Sequence, residues 1–259
     1  MNSLSDWLQT PPGQYLLAWE QAQLNVSVAD IFGFHGLQLG LPEIDALAAN
    51  RMPHRWLALD APSEVKPHFK PDFYCDLAAL PFSESSLDLV VMPHTLELTT
   101  DPHAALREAA RVLVPEGRLV ITCFNPNSLW GLRQSLSMGL SKWGLSEPFV
   151  PVNGEWLGTW RLRDWLHLLS FEVESTDLGG YRLPMSRQSW LDNMAYLDAW
   201  GRRGWPIFGA VYCMVAVKKV HGMRLMGPAW KKSVRVPSST RATGLPAARQ
   251  ESDHSNLNL

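Results

Sequence analysis

Several residues of this chain sit where chemistry is possible by type and by place. Gly40 follows Leu37-Gln38-Leu39, Asp60 closes the run Arg55 to Leu59, and Asp76 with Leu77 follows Phe73 to Cys75. Met92, His94 and Glu97 come at or just past the apolar run that begins at Leu87. A glycine at such a point lets backbone N–H groups approach a ligand, and a carboxylate offers two acceptor oxygens. A histidine titrates near neutral pH and can take a proton from a hydroxyl or amine, which makes His94, with Glu97, the candidate catalytic pair. Asp88 precedes its apolar run, so it falls at the other end of that element and reads as structural.

Other chemistries lack support. His94 and His103 are nine positions apart, which is not a metal-ligand spacing, and no metal site is expected. Neither a G-x-S-x-G elbow nor a phosphate-binding P-loop occurs, so hydrolase and nucleotide-triphosphatase readings fall away. Cys75, Cys123 and Cys213 form no C-x-x-C pair, which argues against a zinc site or a disulfide framework and for a reducing, cytoplasmic setting.

The elements that must position these residues follow from hydrophobic periodicity. Gly13 to Leu24 reads as a helix, and Leu37–Leu39, Arg55–Leu59, Phe73–Cys75, Leu87–Met92, Leu119–Cys123, Phe171–Val173 and Val211–Val217 read as strands. Glu43 to Ala49 is expected to begin a helix between the first two strands, which would make them a parallel pair. Asp101 and Pro102 supply the cap and first turn of a helix through Val112, ended by Pro115-Glu116-Gly117. Leu129, Leu132, Leu136, Leu140 and Trp143 share one helical face, with Arg133 and Lys142 off it, as in an amphipathic lid. A further helix is expected from Trp160 to Leu169. The whole is an α/β chain with a doubly wound, mostly parallel seven-stranded sheet. Such sheets bind ligands outside the carboxyl ends of their strands at a switch point, where Gly40, Asp60, Asp76 and the Met92–Thr95 loop would converge.

The order Asp76 to Phe82 (D-x-x-x-L-P-F), Leu87 to Met92, Glu108 to Leu113 (E-x-x-R-V-L) and Gly117 to Ile121 resembles the class I S-adenosylmethionine-dependent methyltransferases, with the type 11 methyltransferase domain the nearest match. The resemblance covers about residues 36 to 122 closely and runs more weakly to Val173. It implies a Rossmann-like fold, S-adenosylmethionine as cofactor and methyl transfer to an acceptor. It also implies that Gly40, Asp60, Asp76, Leu77, Met92 and His94 face the cofactor, with Asp60 on the ribose hydroxyls, Asp76 on the adenine amino group and Leu77 covering the ring. The sequence departs from the pattern in its first loop, where Gly40-Leu41-Pro42 replaces G-x-G-x-G. That departure favours a non-catalytic binding or scaffold protein, whereas the intact Asp76 and Pro81-Phe82 segment favours the enzyme.

Composition bounds the rest. The chain has 259 residues, 46% hydrophobic and 19% charged, enough for a sizeable core. Residues 1 to 219 are expected to form the domain, with about 125 to 205 supplying a lid and tryptophan-rich elements around a small or apolar acceptor. Lys218, Lys219, Arg224, Lys231, Lys232, Arg235, Arg241 and Arg249 precede any further acid before Glu251. Residues 1 to 217 therefore carry 15 basic and 23 acidic side chains, a formal charge of -8, and the remainder carries 8 against 2, or +6. An acidic body is a poor platform for nucleic acid. From residue 220 periodicity disappears, and the segment reads as a disordered basic tail suited at most to peripheral contact with an anionic surface. No signal peptide and no transmembrane run is legible.

Overall fold

The computed structural model describes residues 3–61, 69–141, 148–152, 154–185, 193–194 and 196–219. The tail from residue 220 lies outside them, as do Lys142, Trp143 and Trp190. Seven strands form one sheet in the order β3-β2-β1-β4-β5-β7-β6. They are β1 (His35–Leu39), β2 (His54–Leu59), β3 (Phe73–Tyr74), β4 (Leu87–Pro93), β5 (Leu113–Phe124), β6 (Phe171–Gly179) and β7 (Val211–Lys218). All neighbours are parallel except β7, which inserts antiparallel between β5 and β6.

The strands read as continuous apolar runs because the sheet is covered on both faces. Alternate residues feed two cores. Leu119, Ile121 and Cys123 of β5 and Tyr212, Met214 and Ala216 of β7 face one, under helices α4 (Pro102–Val112) and α6 (Thr159–Leu168). Val120 and Phe124 of β5 and Val211, Cys213 and Val215 of β7 face the other, under α1 (Leu4–Leu8), α2 (Pro11–Ala29) and Trp130 of α5 (Leu129–Ser141). The described residues also include α3 (Thr95–Leu98) and α7 (Tyr196–Gly204).

Local chemistry explains the boundaries. Thr10 caps α2 with Pro11 and Pro12 in its first turn, and Asp101 caps α4 by accepting from the Ala104 N–H at 2.9 Å. At Gly13 any Cβ would lie 2.4 Å from the Trp7 carbonyl, so glycine lets α1 and α2 cross closely.

Two expectations need correction. Residues 43 to 49 form successive turns rather than a helix, because the Gln38 side chain takes the Ile44 carbonyl and the Ala46 N–H, two groups that a helix would have paired internally. The Gln38 amide donates to Gly40, Leu41 and Ile44 carbonyls and accepts from the Ala46 N–H, while Arg55 donates to the Leu47 carbonyl. The segment after β4 is no loop either: Thr95 to Leu98 make one helical turn, with His94 at its start in a left-handed conformation, φ 50°.

Candidate functional site

The carboxyl edge of the parallel strands carries the features that sequence singled out. Immediately past β1, Gly40 and Leu41 both adopt positive φ, 77° and 41°. At Gly40 this conformation favours glycine, and an added Cβ would also press on the Thr95 hydroxyl at 3.2 Å. Leu41 enters the left-handed region at a cost of about 1–2 kcal/mol. Its side chain is 3% exposed, and burying a leucine contributes about 1.5–3 kcal/mol, so burial outweighs the strain. The loop thus has two successive left-handed residues although only one of them is glycine. Gln38 holds it from below, and Thr95 ties it to β4 by donating its hydroxyl to the Leu39 carbonyl at 2.5 Å.

Gly40, Leu41, Pro42, Leu59, Asp60, Leu77, Thr95 and Leu98 line a cavity of about 160 Å³ at this edge. Asp60 stands exposed at its rim and its carboxylate makes no hydrogen bond among the described residues. Asp76 is exposed beside it and accepts from the Ala78 N–H at 2.8 Å. The two acids flank Cys75: burial first, then their charges, push its thiol above the ordinary range. An uncommitted carboxylate beside apolar Leu59, Leu77 and Leu98 fits the sugar and ring of a nucleoside. The far end is less accommodating, since Pro42 lacks an N–H and Leu41 adds bulk.

His94, Glu97 and Met92 do not line this cavity; all three have 0% exposure. Both His94 nitrogens are engaged, Nδ1 with Glu97 at 2.6 Å and Nε2 with Glu20 at 2.8 Å. Glu97 also accepts from the Phe124 N–H at 2.7 Å. Burial by itself would lower the imidazole, but the charges of Glu20 and Glu97 and their hydrogen bonds push it up to about 10. Burial likewise pushes the Glu97 carboxyl up, against the pull of His94. The triad joins α2 to the end of β4 as a buried ionic clasp. Glu20 was not among the residues that sequence reasoning selected. Its signal was a charged residue at a step of four within Leu16, Glu20, Leu24 and Val28, the buried face of α2. Gln38 was also missed, since a polar residue inside a short strand gives no hint of what it will bond.

Further along the same edge, past β5 and β6 and before β7, lies an apolar cavity of about 610 Å³ lined by Leu129, Tyr181, Leu183, Leu197, Trp200 and Trp205, among others. Its α7 wall is fixed by Asp198, which accepts from the Tyr15 hydroxyl and, at 2.8 Å, from Arg182. Burial, then Asp198, pushes the Tyr15 hydroxyl upward. Of the tryptophans expected around an acceptor, Trp200 and Trp205 line this cavity, whereas Trp130 is core and Trp156 stacks on Phe124. Trp160 lines a larger cavity, about 780 Å³, beside the start of β6 and the end of β7, at the opposite edge of the sheet.

The spaced motifs resolve into structural parts. Glu108 accepts from the Leu80 N–H, and Arg111 donates to the Phe82 carbonyl while pairing with Glu108 at 2.7 Å. The E-x-x-R pair of α4 therefore pins the Leu80-Pro81-Phe82 segment that follows Asp76. Asp88 accepts from the Phe34 and His35 N–H groups, at the opposite end of β1 from Gly40.

The strand order and the antiparallel β7 define the class I methyltransferase fold. Residues 47–121 match the family described as a methyltransferase domain, a span that includes Asp60, Asp76 and Leu77 and begins after the Gly40 loop. The chain carries a class I S-adenosylmethionine-dependent methyltransferase domain of type 11, and S-adenosylmethionine is the cofactor of that family. It is 36% identical to the uncharacterised protein YafS of Escherichia coli K12 over 171 residues, 64% of this chain and 65% of that protein. It is 41% identical to the malonyl-[acyl-carrier protein] O-methyltransferase of Halorhodospira halophila over 58 residues, 22% of this chain and 20% of that enzyme. The chain thus spans less than two thirds of the length of each. A chain of the Haloferax volcanii complex between the Trm112 methyltransferase activator and a methyltransferase superposes with a TM-score of 0.56 at 18% identity, covering 84% of this chain and 96% of that one. Such a likeness speaks to the fold.

Proposed function

We propose that this chain transfers a methyl group from S-adenosylmethionine to an apolar acceptor held between α5 and α7. The observation that carries the reading is the placement of two sites on one sheet edge. One is a cavity with Asp60 and Leu77 in its wall, and the other is a 610 Å³ apolar cavity. The bound cofactor supplies an activated methyl group on a sulfonium. The chain's own residues then bind and orient: Asp60 accepts from ribose hydroxyls, Asp76 from the adenine amino group, and Leu77 covers the ring. Transfer of this kind is an in-line displacement that depends chiefly on positioning, so the apolar walls around Trp200 and Trp205 act by aligning the acceptor and excluding water. His94 and Glu97, sealed in their clasp, hold α2 against β4 in this reading and take no proton from the acceptor.

Calorimetric titration of the full chain with S-adenosylmethionine and S-adenosylhomocysteine tests this. Saturable binding is expected, weakened about tenfold to hundredfold in Asp60→Ala because a charge-assisted hydrogen bond is worth about 1.5–3 kcal/mol. Asp88→Ala should lower the melting temperature and leave affinity unchanged. A second reading, a non-catalytic binding or scaffold protein, is favoured by the size of the cofactor-edge cavity, 160 Å³ against the roughly 300 Å³ or more usual for ligand pockets. Failure of the wild-type chain to bind either nucleoside, with no label passed from methyl-tritiated cofactor to a cell extract, would decide for the scaffold.

A further inference from the structure

Helix α5 is built inside out. Its leucines at 132, 136 and 140 recur at helical spacing, yet their exposures are 56%, 60% and 48%. The side turned inward carries Trp130, whose indole donates to the Arg182 carbonyl at 2.7 Å, and Gln134, whose amide exchanges two 2.8 Å hydrogen bonds with the Val150 backbone. Rolling the leucines inward would break all three bonds, so the apolar stripe is held toward solvent. The expected amphipathic helix therefore forms over residues 129 to 141, with its apolar face outward. At its first residue, Leu129, the stripe runs into the apolar cavity, whose rim carries Trp200 and Trp205 at 72% and 64% exposure. A contiguous outward apolar face of this kind marks an interaction surface.

Charge indicates what it meets. Residues 129 to 147 contain Arg133, Lys142 and one acid, Glu147, and residues 218 to 250 contain eight cations and no acid, in a chain whose first 217 residues sum to -8. A helix with leucines on one side, Arg133 off that face and tryptophans at the margin has the make-up of one that lies in a bilayer interface, and a chain segment as cationic as 218 to 250 is drawn to anionic headgroups. At 13 residues α5 is about 20 Å long, too short to cross a bilayer. No described helix is long and apolar enough to span one. We propose that the outer face of α5 docks on an anionic lipid bilayer, so that the apolar acceptor enters the α5–α7 cavity from the membrane surface. This rests on the reading of that cavity as the acceptor site.

Sedimentation of the full chain with phosphatidylglycerol–phosphatidylethanolamine vesicles, and with phosphatidylcholine vesicles as a neutral control, tests the docking. Binding to the anionic vesicles is expected. The double variant Leu132→Glu, Leu136→Glu should lose at least tenfold in vesicle affinity while keeping its melting temperature, since both side chains are exposed, and Leu132→Phe, Leu136→Phe should retain binding. Absence of wild-type binding to anionic vesicles, or equal binding by the glutamate variant, overturns the proposal. So does a wild-type dimer by light scattering that the glutamate variant makes monomeric while vesicle affinity stays the same. Titration of S-adenosylmethionine into the same variants keeps the two ideas apart. Loss of vesicle binding with cofactor binding intact is the result expected of the glutamate variant, whereas a wild-type chain that binds vesicles and no cofactor sinks the methyltransfer reading instead.

Discussion

A histidine between two carboxylates, out of contact with water, is stable only as an ion among ions. His94 meets Glu20 and Glu97 at 2.8 and 2.6 Å, and removing the cation would leave two acids facing each other in the core. His94→Gln should cost about 3–5 kcal/mol at pH 7, the usual penalty for breaking a buried pair from one side. The pH dependence has a definite sign. Folding raises this imidazole from 6.5 to about 10, so above its unfolded value the native state retains a proton that the unfolded chain has released. The stability it contributes is complete below about pH 6.5 and is lost progressively as pH rises toward 10. Glu97, also raised on folding, acts in the same direction from the mildly acidic range upward. Melting temperatures of the wild type should therefore fall steadily between pH 6.5 and 10, and His94→Gln should flatten that slope. A wild-type profile already flat over this range would mean that the clasp is not ionic.

At the scale of elements, the turn segment after β1 is shaped by one side chain. Gln38 satisfies the Gly40, Leu41 and Ile44 carbonyls and the Ala46 N–H, and the last two are groups that a helix over residues 43 to 49 would have satisfied internally. Gln38→Leu keeps the volume and strands those groups, so it should cost at least about 2 kcal/mol in urea unfolding and weaken cofactor binding through the loop. Leu41→Gly makes a sharper test because two effects take opposite signs. It gives up a buried side chain worth about 1.5–3 kcal/mol and relieves only about 1–2 kcal/mol of strain, so stability should drop. Replacing Leu41 and Pro42 together by glycine restores freedom and one N–H donor, so cofactor affinity should rise even as the melting temperature falls. Equal affinity in the wild type and the double variant would show that the loop does not touch the amino-acid end of the cofactor.

For the molecule as a whole, the described residues build a core on each face of one sheet, and the sequence from 225 onward has no periodic apolar pattern to add to them. Removing residues 225 to 259 should leave a single cooperative thermal transition, and a fall of more than a few degrees in melting temperature would mean that this segment packs on the domain. The strands and the long helices were legible because burial on two faces writes apolar runs into the chain, and helical faces write steps of three and four. The acids past the strands were legible for the same reason: position at a strand end is a local property. Three matters were left to tertiary structure. Antiparallel insertion of β7 between β5 and β6 depends on which edge is free once the other strands have paired. The turns at residues 43 to 49 depend on Gln38, whose amide could be assigned partners only after β1 was placed beneath them. His94 read as a candidate base past a strand end, because its burial is fixed by Glu20, 74 positions earlier, on a helix that only packing brings against β4. Local pattern is set by which side of an element meets water, and the sequence alone determines it. Partnership between distant polar groups is set by the low dielectric of the interior they come to share, and that interior exists only once the chain has folded.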